Sequence, residues 1–128
     1  MATIDLTPSI IASLRSNTEI NTLTWWRIAS PRVMLEWWKE AENPKIWLRQ
    51  MWGVVGKHRY LFLVDADTTA QARDIAVKVI NRFTDNALQF RDCPLIYAQV
   101  DWTIMDSENE ASKKPQAMFY MLFEIPYE

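Results

Sequence analysis

With 128 residues, 49% of them hydrophobic, the chain is sized for a single domain spanning 1–128 with an ample core. A net charge of −2 with both signs scattered leaves no basic cluster to track phosphates, so sequence-specific nucleic-acid binding is not expected. No apolar stretch reaches the ~18 residues that a membrane helix needs, and two lone glycines, Gly53 and Gly56, exclude Gly-rich phosphate loops.

The opening Met-Ala-Thr-Ile-Asp-Leu lacks the basic and apolar regions of a signal peptide, so cytosolic synthesis is expected. Thr7-Pro8 predicts a first helix, capped by Thr7 with Pro8 in its first position, carrying Ile10, Ile11 and Leu14 on one face. Ser16-Asn17-Thr18 predicts its stop. Leu23 and Trp25 alternate with Thr22 and Thr24, and Trp25-Trp26-Arg27-Ile28 suits a strand. Ser30-Pro31 predicts a second cap, followed by Val33, Met34, Trp37, Trp38 and Ala41 at helical spacing; a helix over 31–42 follows.

Pro44 leads into a strand in which Ile46, Leu48 and Trp52 share one face and Lys45, Trp47, Arg49 and Met51 the other. Gly53 to His58 makes a connection, and Arg59 to Ala66 reads as a central strand. Asp67 or Thr68 caps the next helix, Thr68 with Gln71 fitting a capping box, and its stripe is Ala72, Ile75, Ala76, Val79, Ile80 and Phe83. Asp74 and Lys78 form an i,i+4 pair on its solvent side. A polar turn around Thr84–Asn86 precedes Leu95–Met105, where Ile96, Ala98, Val100, Trp102 and Ile104 oppose Tyr97, Gln99, Asp101 and Thr103. Asp106–Gln116 predicts a mobile hairpin loop, and Met118–Phe123 a last strand returning antiparallel. This order predicts an α+β fold, a mainly antiparallel sheet of about four strands flanked by two or three helices.

Catalytic equipment is not evident. His58, the lone histidine, lies in Gly-Lys-His-Arg and reads as a solvated hairpin residue. Cys93 excludes an internal disulfide and reads as a small buried hydrophobe without a visible histidine partner. Asp65, Asp67, Asp101 and Asp106 could gather around a hard cation, yet strand-end and capping roles explain the first two, and no His/Cys spacing supports zinc. No enzyme, metal or cofactor is expected. The seven tryptophans are unusual. In Trp25-Trp26 and Trp37-Trp38 adjacent rings point in different directions, so one of each pair is exposed unless a second subunit covers it. Core packing and a subunit interface both remain open for them.

The N-terminal helix with its polar turn (Pro8–Thr18), Arg27-Ile28, the Pro-led strand Pro44–Arg49, the strand-to-helix run Leu61–Phe83, the Trp-bearing strand around Val100-Asp-Trp102 and a final aromatic strand form one pattern. In this pattern the chain resembles the small phage tail terminator or tail completion family of long-tailed bacteriophages. Ser30–Asn43 is longer and richer in tryptophan than that family usually carries there.

The resemblance implies a structural protein whose copies form a ring, typically a hexamer, at the head-proximal end of the tail tube. The ring would end tube polymerisation and join the tail to the head. The implied partners are the chain itself, the tail tube protein and the head connector protein. The implied location is the host cytoplasm during assembly, then the virion tail. Trp25, Trp26, Trp37 and Trp38 become candidate subunit contacts; Asp106, Glu108, Glu110, Lys113 and Lys114 become a candidate loop for contacting the tube or connector. A rival of another class is a dimeric ferredoxin-like domain binding a small apolar ligand between sheet and helices, lined by Trp47 or Trp102. A tail-tube or connector subunit is a third reading, which predicts open polymers.

Overall fold

Four long strands with alternating apolar residues build the centre of the molecule. The computed structural model describes residues 6–24, 28–29, 44–84, 88–90, 93–109 and 113–125. In chain order the elements are α1 (Thr7–Ser16), α2 (Thr18–Thr24), β1 (Ile28–Ala29), β2 (Lys45–Val54), β3 (Lys57–Asp65), α3 (Thr69–Thr84), β4 (Leu88–Phe90), β5 (Cys93–Glu108) and β6 (Pro115–Glu124). The sheet order is β1-β2-β3-β6-β5-β4. Every neighbouring pair is antiparallel except β1 with β2. The expected α+β class holds, with three described helices, and the four expected strands are joined by two short edge strands, β1 and β4.

One face of the sheet carries the core. Ile46, Leu48, Tyr60, Phe62, Val64, Ala117, Phe119, Met121 and Phe123 are all sealed from solvent on it. Helix α3 lays Ala72, Ile75, Ala76, Val79 and Phe83 onto this face, with Ile80 packed at its margin, as the stripe predicts. Ile10 and Leu14 from α1 and Ile20 from α2 complete it. Its centre is aromatic: Phe62 stacks on Phe119 at 5.1 Å, and Phe123 meets the edges of Tyr60 at 5.6 Å and Phe83 at 5.4 Å. Burying one such ring stabilises the fold by about 1.5–3 kcal/mol. These rings fill the space between sheet and helices.

Local chemistry explains where the helices start. The Gln71 N–H donates to Thr68 Oγ1 at 3.1 Å, the expected cap of α3, while Gln71 Oε1 accepts from the Asp67 N–H rather than from that of Thr68. Lys78 pairs with Asp74 at 2.8 Å and also reaches Glu19 of α2 at 3.4 Å, so the surface pair also ties two helices together. Thr7 does not cap α1. Its hydroxyl instead pairs with the Tyr60 hydroxyl at 2.9 Å, satisfying two polar groups inside the core, and Pro8 sits in the first turn as expected. Asn17 is a break rather than an end. Its Oδ1 accepts from the Ile20 N–H at 3.0 Å and so caps a second helix over residues read from sequence as alternating. The expected helix over 31–42 and residues 25–27 lie outside the described residues.

Two strand boundaries also differ from expectation. A bulge lies between Gln50 and Trp52 in β2, so the alternation changes phase at Met51. Gln50 is opposite Tyr60 on the core face, while Trp52 is opposite Arg59 on the other face and 42% exposed, not beside Leu48 as the simple alternation predicts. The Asp106–Gln116 loop is shorter than expected. Strand β5 continues through Glu108 and β6 begins at Pro115, because Asp106, Ser107 and Glu108 each find a ladder partner in β6.

Candidate assembly surfaces

The connection between β5 and β6 is built on a buried carboxylate. Asp65, at the end of β3 and 2% exposed, lies between Lys45 of β2 and Gln116 of β6. Its Oδ1 accepts from Gln116 Nε2 at 2.7 Å and its Oδ2 from Asn109 Nδ2 at 3.2 Å. Burial pushes the Asp65 carboxyl above its ordinary range; the Gln116 bond, the Lys45 charge and the Asn109 bond oppose that rise. Asn109 also closes the connection through its backbone, donating to Lys114 O at 2.9 Å and accepting from the Lys113 N–H at 2.8 Å. Lys113 adopts φ 62°, a left-handed conformation that turns the chain back. The base of this loop is therefore tied down, and Lys113 and Lys114 are exposed at its end.

Of the predicted loop contacts, Asp106 binds Arg73 of α3 through both oxygens, at 2.8 and 3.3 Å, and Glu108 is exposed at the end of β5. Lys114 lies 3.8 Å from Asp67. Glu110 lies outside the described residues, as do Trp25, Trp26, Trp37 and Trp38. The fold thus brings Asp106, Glu108, Lys113 and Lys114 to one end of the sheet.

The face of the sheet opposite the described helices has its own chemistry, which the strand register lays out in rows. Val54, Lys57, Glu124 and Tyr97 form one row across β2, β3, β6 and β5; Trp52, Arg59, Leu122 and Gln99 the next; Arg49, Leu61, Tyr120 and Asp101 the third. Trp47, Leu63, Met118 and Met105 follow, then Lys45, Asp65, Gln116 and Ser107. Arg59 lies over the Tyr120 ring at 4.2 Å and within 3.0 Å of Asp101, an ion pair held against an aromatic face. Sequence reasoning missed these rows, because the β2 bulge hides the membership of Trp52 from any simple alternation.

His58 and the four candidate aspartates each meet a partner within the chain. His58 is fully buried rather than solvated, since its register opposite Gly53 and Phe123 points it to the core, where Nδ1 meets Gln50 Nε2 at 3.1 Å. Gly53 leaves the room for that contact, as a Cβ there would stand 2.9 Å from His58 Nδ1. The four aspartates are dispersed among Gln116, Asn109, Lys114, Arg59 and Arg73, and no group of three or more metal-ligating side chains occurs among the described residues. Among those residues, no helix is long and apolar enough to cross a membrane.

No family model and no curated protein matches the sequence. Solved structures do. A chain of the virion of a native gene transfer agent particle superposes with a TM-score of 0.68 at 14% identity, covering 94% of this chain and 93% of that one. Bacteriophage SPP1 gp17 superposes with a TM-score of 0.57, also at 14% identity, covering 95% of this chain and 89% of that one. The chain therefore shares, over nearly its whole length, the fold of a gene transfer agent virion chain and of SPP1 gp17, and the resemblance to phage tail terminator proteins is borne out at the level of fold.

Proposed function

We propose that this chain is a structural protein of a phage-like tail, which forms a ring at the head-proximal end of the tail tube, ends tube growth and joins tail to head connector. The observation that carries this reading is the fold shared with a gene transfer agent virion chain across 94% of the sequence. The mechanism is mechanical. A head-to-tail interface that closes on itself makes a finite ring, whose outer end stops growth by failing to repeat the contacts of the tube. The chain works as one domain, and its partners are further copies of itself in a hexameric ring, with a tube protein below and a connector above. In this reading the protein is not an enzyme, assembles in the host cytoplasm and ends in the virion tail.

Trp25, Trp26, Trp37 and Trp38 are proposed as subunit contacts. Glu108, Glu110, Lys113 and Lys114 are proposed to meet the tube or connector, with Asp106 holding the loop against Arg73. Phe62, Phe83, Phe119 and Phe123 pack against one another between the sheet and the described helices, which favours the structural reading over a ligand pocket on that side of the sheet.

The test is negative-stain electron microscopy of the concentrated protein, with mass from light scattering. Rings with a central hole support the reading; a compact closed dimer overturns it. Replacing Trp37 and Trp38 with Ser is expected to lower the assembled mass while thermal unfolding stays cooperative. Loss of the cooperative transition would place those rings in the core instead.

A further inference from the structure

Among the described residues, both edges of the sheet are partly uncovered: β1 pairs with β2 at Ile46 and Trp47, and β4 pairs with β5 between Cys93 and Ile96. Among the described residues, β2 from Leu48 to Val54 and β5 from Tyr97 to Glu108 have no strand on their outer sides. Unpaired strand edges are ready templates for a further strand.

The two edges are complementary in charge. On the stretches left uncovered, β2 carries Arg49 and no acid, while β5 carries Asp101, Asp106 and Glu108 and no base; Asp101 also lies 3.0 Å from Arg59, and Asp106 binds Arg73. Arg49 has no carboxylate partner among the described residues; its guanidinium rests near the Trp47 ring and the Met51 sulfur. The edges are also complementary in apolar surface. Among the described residues, four of the six exposed large hydrophobic side chains, Met51, Trp52, Val54 and Tyr97, lie on these two stretches. Exposed apolar residues concentrated on unpaired edges mark a contact surface rather than scattered surface carbon.

Direction and height also agree. Three successive antiparallel pairings, β2 with β3, β3 with β6 and β6 with β5, leave β2 and β5 running oppositely. A neighbour related by rotation about an axis along the strands keeps that direction. Its β5 would therefore meet β2 antiparallel. The rows place Tyr97 level with Val54, Gln99 with Trp52 and Asp101 with Arg49, all on the face opposite the described helices. The regular register of β5 ends after Asp101, which sets the length of the window.

We infer that the open edge of β2, Leu48–Val54, pairs antiparallel with the open edge of β5, Tyr97–Asp101, of a second copy of this chain, placing Arg49 beside Asp101 across the seam. The inference rests on the ring reading above and names the seam that would close such a ring. The contact is heterologous, so each subunit offers one edge to each neighbour. Main-chain hydrogen bonds supply the pairing, and the Arg49–Asp101 row selects the register.

The test is a cysteine pair. Arg49→Cys and Asp101→Cys, combined in a Cys93→Ser chain, are expected to give a reductant-sensitive ladder of covalent multimers on oxidation. Within one chain the two positions are three strand spacings apart, about 14 Å, too far for a disulfide. Assemblies of unchanged mass without a ladder overturn the edge pairing and leave the ring reading standing. A wild-type protein that stays monomeric throughout its soluble range overturns both. Hydrogen exchange on the unmodified protein is an independent check: outward amides of 48–54 and 97–101 should slow at least tenfold on concentration, and equal rates at both concentrations overturn the pairing.

Discussion

Asp65 shows how one side chain can position a loop at a cost. Its two oxygens hold Gln116 and Asn109, and so the two ends of the β5–β6 connection, against β3. Keeping it ionised in a nearly dry site is unfavourable, which is why its carboxyl sits above the ordinary range. The stability this group contributes is fully present below the unfolded carboxyl pKa, near ~3.9, and is lost as pH rises through the raised folded value. Asp65→Asn removes the titration but supplies one acceptor where two amides seek one. In urea unfolding, the stability of wild type relative to Asp65→Asn should therefore be greater at pH 4 than at pH 7. A difference that stays constant across this range would show that Asp65 titrates alike in both states.

The elements divide by whether their rules are local. Helix α3 was legible because its cap, its stripe and its Asp74–Lys78 pair all lie within sixteen residues and agree. Phe62 at the centre of β3 carries the matching prediction. It stacks on Phe119 and also meets Phe83 and Phe123, so Phe62→Ala should cost about 3–5 kcal/mol by chemical denaturation. Val77→Ala, on the exposed side of α3, should change stability by no more than about 0.5 kcal/mol. A comparable loss from both would sink the assignment of the aromatic cluster as the core. Elements settled by distant partners were not legible. Thr7 reads as a cap in sequence but is claimed by Tyr60, fifty-three residues away. Trp52 reads as sharing a face with Ile46 and Leu48 until the bulge at Met51 turns it over. The lower half of the predicted Asp106–Gln116 loop is strand because β6 is there to pair with it. Among the candidate contacts, the charged loop was visible as composition, whereas the rows of the second face needed the register of four strands.

At the scale of the whole molecule, chain order and sheet order part company. The last strand inserts between the third and the fifth, so β3 pairs with β6 from Lys57↔Glu124 to Asp65↔Gln116, while the local hairpins β2–β3 and β5–β6 lie on either side. No short-range signal encodes that insertion. It agrees with the burial of both strands, whose Tyr60, Phe62, Val64, Ala117, Phe119, Met121 and Phe123 are all sealed from solvent at the middle of the sheet. Its consequence is a gradient of protection: β3 and β6 have ladder partners on both sides over most of their length, while the two-residue β1 and three-residue β4 each border the sheet on one side only. Native-state hydrogen exchange on dilute protein should therefore find the slowest amides in β3 and β6, opening only with global unfolding, and the fastest strand amides in β1 and β4. The alternate outward amides of β5 between Tyr97 and Asp101 should exchange quickly in the same sample, because nothing in the single chain pairs with them among the described residues. Slow exchange there at dilution, or fast exchange in β6, would contradict the strand order on which both the core and the proposed seam depend.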